Sequence, residues 1–88
     1  MQVEPINDKP QVSYPCEWEF KVIGTDESAL RRAIGQIVGD RAYQLDVSNR
    51  SARGKYSSLR LAVRVDDEGD RNAIFKALSQ HEDVTTLL

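Results

Sequence analysis

Apolar and polar residues alternate from Cys16 onward: Cys16, Trp18, Phe20 and Val22 interleave with Glu17, Glu19 and Lys21, and Gly24 follows. A period of two over this length predicts a strand buried on one face. The stretch "TDESALRRAIGQIVGD" then changes period, with Ala29, Leu30, Ala33, Ile34, Ile37 and Val38 recurring at steps of three and four. That spacing predicts a helix, capped at its start by Thr25 or Asp26 and closed by Gly39. Alternation returns twice, in "AYQLDVSNR" and "SSLRLAVRV". The second pattern of helical period is "DDEGDRNAIFKALSQH", with Ile74, Ala77 and Leu78 on its stripe and Asp66 or Asp67 as its cap. "DVTTLL" ends the chain as a short predicted strand.

The predicted order is β-α-β-β-α-β, the split βαβ arrangement of the ferredoxin-like α+β sandwich. Right-handed crossovers place the first strand beside the third, with the second and fourth at the edges and both helices on one face. The second and third strands flank Gly54, which reads as the hairpin turn residue with positive φ. A turn centred there sets Leu45 opposite Val63 and Val47 opposite Leu61, so the apolar sets coincide. On the face without helices, Glu17, Glu19, Lys21 and Ile23 lie beside Ser58, Arg60, Ala62 and Arg64, with Asp46 near both arginines. Acid beside base implies cross-strand pairs of a few tenths to about 1 kcal/mol each.

Eighty-eight residues suffice for one domain. Residues 1–13, with Pro5 and Pro10 and no periodicity, are expected to be a flexible tail, leaving 14–88 as the domain. A single cysteine excludes an intramolecular disulfide and fits a reducing compartment. No apolar run suits a signal peptide or a membrane span, so a cytoplasmic protein without membrane contact is expected. The net charge of −2 argues against nucleic-acid binding. The parity of the strands argues further against single-stranded RNA, because Trp18 and Phe20 fall on the core side and leave no aromatic on the open face for bases to stack on.

The stretch "NRSARGKYSSLRL" superficially suggests a phosphate-binding loop. The motif G-x-x-x-x-G-K-[S/T] leading into a helix is not met. Asn49 stands where the first glycine is needed, Tyr56 follows Lys55, and a strand comes next. The same loop clusters Arg50, Arg53 and Lys55 beside Tyr56, a combination able to hold an acidic partner. His81 has no Cys or His at metal-ligand spacing and reads as a helix-end surface residue. Cys16 has core parity and reads as a small buried side chain, not a nucleophile. Asp66, Asp67, Glu68 and Asp70 gather at a helix start, where the helix dipole accounts for them. No catalytic, cofactor or metal constellation is expected.

Three stretches taken together, "YPCEWEFKVIG", "SARGKYSSLRLAV" and "VTTLL", resemble the YbeD-like family of small bacterial proteins. Lys21, Val22 and Gly24 match its first piece, with Ile23 for the usual methionine; Ser51, Gly54, Tyr56 and Ser58 match its second. The resemblance covers residues 14–88. It implies a ferredoxin-like fold similar to ACT regulatory domains, no established enzyme activity and a loose association with regulation of lipoate metabolism. It is also similar to acylphosphatases in topology, but the loop "IGTDESA" lacks the arginine that holds their phosphate. Of the ACT ligand loop, Gly24 and Asp26 match, while Ser28 and Ala29 replace its Pro-Gly.

The expectation is a non-enzymatic regulatory or adaptor module that binds a protein through Arg50, Arg53, Lys55, Tyr56, Arg60 and Arg64. The edge strand "VTTLL" offers a route to a homodimer or a partner strand. The alternative is ACT-like small-molecule sensing at Gly24, Thr25 and Asp26.

Overall fold

The computed structural model describes residues 13–50 and 55–88, with Asn49 and Arg50 as backbone alone. The turn expected at Gly54 and all of the tail except Ser13 lie outside these residues. The first strand, β1 (Cys16–Gly24), follows the alternation. Phe20 and Val22 are buried, Cys16 and Trp18 pack half-buried against the core, and Glu17, Glu19 and Lys21 are exposed. Then come α1 (Glu27–Val38), β2 (Tyr43–Arg50), β3 (Ser57–Val65), α2 (Glu68–Gln80) and β4 (Thr86–Leu87). They form one four-stranded antiparallel sheet in the order β2-β3-β1-β4. Both helices pack on one side of it, so the ferredoxin-like α+β sandwich is the observed fold.

Local chemistry sets the helix ends. The Asp26 carboxylate accepts from the Ala29 N–H at 3.2 Å, satisfying one of the free donors of the first turn of α1. Gly39, at φ 60°, donates its N–H to the Gly35 carbonyl and turns the chain out of the helix. Asp67 caps α2 by accepting from the Asp70 N–H at 2.6 Å. Leu30, Ile34 and Val38 of α1 meet Ile74 and Leu78 of α2 over Val22, Leu59, Leu61, Val63 and Val65 of the sheet. That is one continuous core, the only kind a chain this size can build.

Two expectations need correction. The hairpin keeps the expected parity but slips by two residues, pairing Leu45 with Leu61, Val47 with Leu59 and Tyr43 with Val63. A register shift between Val47 and Asn49 takes up an extra residue in β2, and parity alone cannot reveal such a bulge. The last strand is Thr86–Leu87, not residues 83–88. Asp83 and Val84 are used in a turn, where the Asp83 N–H donates to His81 Nδ1 at 3.1 Å and the Val84 N–H to the His81 carbonyl. The helices pack on β1, β3 and β4, so Tyr43 and Val47 of β2 stay exposed despite their inward parity.

Candidate partner-binding surface

The open sheet face is organised in cross-strand rows. Glu17 lies opposite Arg64, Glu19 opposite Ala62, Lys21 opposite Arg60 and Ile23 opposite Ser58. From the other side, Asp46 lies opposite Arg60 and Gln44 opposite Ala62. Acid therefore meets base between β1 and β3 in one row alone, that of Glu17. The expected opposition of acid and base holds for Glu17 with Arg64 and for Asp46 with Arg60, whereas Lys21 and Arg60 are like charges directly opposed. Lys21 exchanges both backbone hydrogen bonds with Leu88 in the direction of β4. It is therefore the non-hydrogen-bonded partner of Arg60, the geometry in which Cα atoms approach to about 4.5 Å. Among the described residues, no ion pair joins the charged side chains of this face to one another.

Of the residues expected to bind a partner, Arg60 and Arg64 are exposed on this face. Tyr56, which precedes β3, is 37% exposed, with Lys55 Nζ 5.5 Å from its ring centroid. Arg50 ends β2 opposite Ser57, its side chain outside the described residues, and Arg53 lies outside them entirely. Ser58 is unusual for this face: it is 7% exposed and its hydroxyl has no hydrogen-bond partner among the described residues.

The alternative ligand loop is differently placed. Gly24 is buried, and a Cβ there would stand 2.6 Å from the Asp83 carbonyl oxygen and 2.8 Å from Leu30 Cδ2. Thr25 and Asp26 are exposed, but the Asp26 carboxylate already serves as the α1 cap.

Two constellations were not foreseen. Arg41, between α1 and β2, donates Nε to Asp70 Oδ2 at 3.3 Å and a terminal nitrogen to Asp70 Oδ1, and it also reaches the Val38 carbonyl at 3.1 Å. The Asp66 N–H donates to the same carboxylate at 3.0 Å. The Arg41 hydrogen bond, assisted by the Asp66 N–H, holds the Asp70 carboxyl below its ordinary range, and Asp70 in turn raises the Arg41 guanidinium. The clamp ties the end of one helix to the start of the other. Only the fold brings these partners together.

The second is a cleft of about 320 Å³ between the first half of β1 and α2, lined by Trp18, Phe20, Arg71, Asn72 and Phe75. The Arg71 guanidinium stacks 4.4 Å from the Trp18 ring centroid. The Phe20 and Phe75 centroids are 6.5 Å apart, and Phe75 is 47% exposed. Its signal in the sequence was an aromatic at position 75, beside the Ile74 stripe of α2, on a turn that the core does not need.

No group of three or more His, Cys, Asp or Glu side chains among the described residues could hold a metal. Nor is any described helix long and apolar enough to cross a membrane.

Fold and surface define a small ferredoxin-like domain with one sheet face that no helix among the described residues covers. Residues 9–88 match the family described as "Protein of unknown function (DUF493)", and the chain belongs to that family. An uncharacterized protein of Helicobacter pylori strain J99 is 35% identical over 83 residues, covering 92% of this chain and 94% of the other. A UPF0250 protein of Hahella chejuensis is 29% identical over 85 residues, at 92% and 93% coverage. The solution structure of protein HP0495 from H. pylori superposes with a TM-score of 0.78 at 31% identity, covering 100% of this chain and 98% of that one. The resemblance to small bacterial YbeD-like proteins is thereby met.

Proposed function

We propose that the chain is a non-enzymatic regulatory or adaptor module that binds a partner protein through its open sheet face and the adjoining end of the β2–β3 hairpin. The observation that carries this reading is Lys21 opposed to Arg60 on the sheet face away from the helices. Directly opposite like charges destabilise a sheet. A partner carboxylate set between them gains two cations already held by a rigid sheet, with Arg64 further along the strand. Lys55 and Tyr56 extend the surface toward the hairpin.

What supports this reading over small-molecule sensing is the packing at Gly24, where the Asp83 carbonyl and Leu30 occupy the space beside the loop. The engagement of Asp26 as a helix cap supports it too.

The test is capture from native lysate by tagged protein, with Lys21→Glu and Arg60→Ala/Arg64→Ala as comparison variants of confirmed fold. Lys21→Glu converts the opposed cations into an opposite-charge pair and is expected to stabilise the fold by about 0.5 kcal/mol. It should nonetheless lose the captured protein, as should the double variant. Capture of the same set by both variants, or no capture by the wild type, counts against the reading.

A further inference from the structure

β4 covers only part of β1. It pairs with Val22 and Ile23, and Leu88 adds Lys21, while among the described residues no strand lies beside Cys16–Phe20 on that side. Within an antiparallel strand, alternate residues direct their backbone groups to alternate neighbours. Lys21 bonds toward β4, so Glu17 and Glu19 share its direction, and their N–H and C=O groups form a sheet edge without a strand partner among the described residues. The edge is about 17 Å long at the usual rise per residue.

The two sides of that edge differ in chemistry. On the helix side it borders the cleft of Trp18, Phe20 and Phe75, where the exposed Phe75 ring and the half-buried Trp18 offer apolar contact. On the open side it carries the exposed carboxylates of Glu17 and Glu19. The row of Glu19 contains Ala62 and Gln44, so no cation stands directly opposite it on the sheet.

We infer that this half-edge is a strand-addition site for an extended segment of a partner protein, with Lys or Arg at alternate positions and aliphatic side chains between them. Its backbone completes the ladder at Glu17 and Glu19. Its cations stand beside the two carboxylates, and its aliphatic side chains enter the cleft beside Phe75. A second copy of this chain is the wrong occupant. Two β1 edges paired with each other would set Glu17 and Glu19 against Glu17 and Glu19, and like charges opposed across a ladder destabilise it.

The inference rests on the protein-binding reading but uses a different surface, so the two can fail separately. Lys21, Arg60 and Arg64 decide the first, and Glu17, Glu19 and Phe75 the second. The probe is the capped peptide Lys-Val-Arg-Ile-Lys-Val, titrated into the full chain and followed by amide spectra and amide hydrogen exchange. Two control peptides are the same residues with all cations first and the sequence with glutamate at every cationic position.

The alternating peptide is expected to slow exchange at Glu17 and Glu19 by about tenfold or more at saturation. Spectral shifts should centre on Cys16–Phe20 and Arg71–Phe75. Both controls should bind at least about tenfold more weakly, and so should the alternating peptide with Phe75→Ala or Glu17→Lys/Glu19→Lys variants of confirmed fold. Equal binding of the acidic peptide, shifts centred elsewhere, or no binding overturns the inference. Protection of these two amides in the free chain also overturns it. If that protection grows with protein concentration, a second copy takes the edge; if it is constant, the edge is already occupied within the chain.

Discussion

Replacing Gly24 and Gly35 with alanine should move stability in opposite directions, and the surroundings of each glycine set the size. A Cβ at Gly24 would lie 2.6 Å from the Asp83 carbonyl oxygen, so that oxygen must retreat by roughly 0.4 Å to reach even a tight 3.0 Å contact. It is poorly free to do so. The Asp83 N–H is bonded to His81 Nδ1 at 3.1 Å, and two residues on the Thr85 N–H is bonded to the Ile23 carbonyl at 2.7 Å. Leu30, with Cδ2 at 2.8 Å, is fully buried and has little room to rotate away.

Overpacking of this kind costs about 1–3 kcal/mol, and losing the Thr85 bond adds about 1 kcal/mol. Restricting the unfolded chain returns about 0.4–1 kcal/mol. The net expectation for Gly24→Ala is a loss of about 2 kcal/mol, or roughly 8–16 °C in Tm for a domain of this size. Gly35, by contrast, sits inside α1, and a Cβ there meets only Tyr43 Oη at 3.7 Å, an ordinary contact. Gly35→Ala should gain up to about 1 kcal/mol from helix propensity. Urea unfolding of the two variants against wild type measures both. A Gly24→Ala protein within about 0.5 kcal/mol of wild type would refute the close-packing argument.

Two further changes test the clamp and the buried hydroxyl. Asp70→Asn removes the charge that Arg41 grips, and with Arg41 35% exposed the expected loss at pH 7 is about 1 kcal/mol. The folded Asp70 titrates below its unfolded value of about 3.9. Its contribution is therefore present above that pH and lost as pH falls through the folded value, so the gap between variant and wild type should narrow toward pH 3; a constant gap in urea unfolding at pH 7 and 3 would contradict the assignment. Ser58→Ala should be neutral or stabilising by up to about 1 kcal/mol, since it removes a buried hydroxyl that has no partner among the described residues; a loss above about 1 kcal/mol would show that the hydroxyl is satisfied.

Periodicity made the sheet and helices legible because it reports which residues share a face, and the core face is the strongest constraint on this chain. Asp26, Asp67 and Gly39 were readable for the same reason, since capping is local chemistry. Parity, however, repeats every two residues. It could place Leu45 and Val47 inward but could not choose between Val63 and Leu61 as the partner of Leu45, and the bulge before Asn49 decided that. A similar limit reached the candidate site: parity put acids and bases on one face, but charge pairing depends on which residue stands in which row, and the β1–β3 register sets Lys21 opposite Arg60. The Arg41–Asp70 clamp, spanning 29 positions, has no local signature at all.

The distribution of paired and unpaired groups separates structure from binding. The ion pairs brace the helices: Arg41 with Asp70 joins the end of α1 to the start of α2, while Glu27 with Arg31 and Glu68 with Arg71 each lie within one helix. Along β1, three opportunities of the same kind are left unused. Lys21 repels Arg60, Glu19 has no cation in its row, and the backbone edge at Glu17 and Glu19 has no strand among the described residues. A chain selected for stability alone could relieve either of the first two with one substitution, Lys21→Glu being the expected remedy for the first. All three adjoin a single strand that β3 and the core hold rigid, so a partner docking there finds its contacts preorganised and loses little ordering entropy. The two binding surfaces therefore share one strand; of the variants at them, Lys21→Glu should unfold less readily than the wild type, whereas Glu17→Lys/Glu19→Lys sets a cation opposite Arg64 and should unfold somewhat more readily.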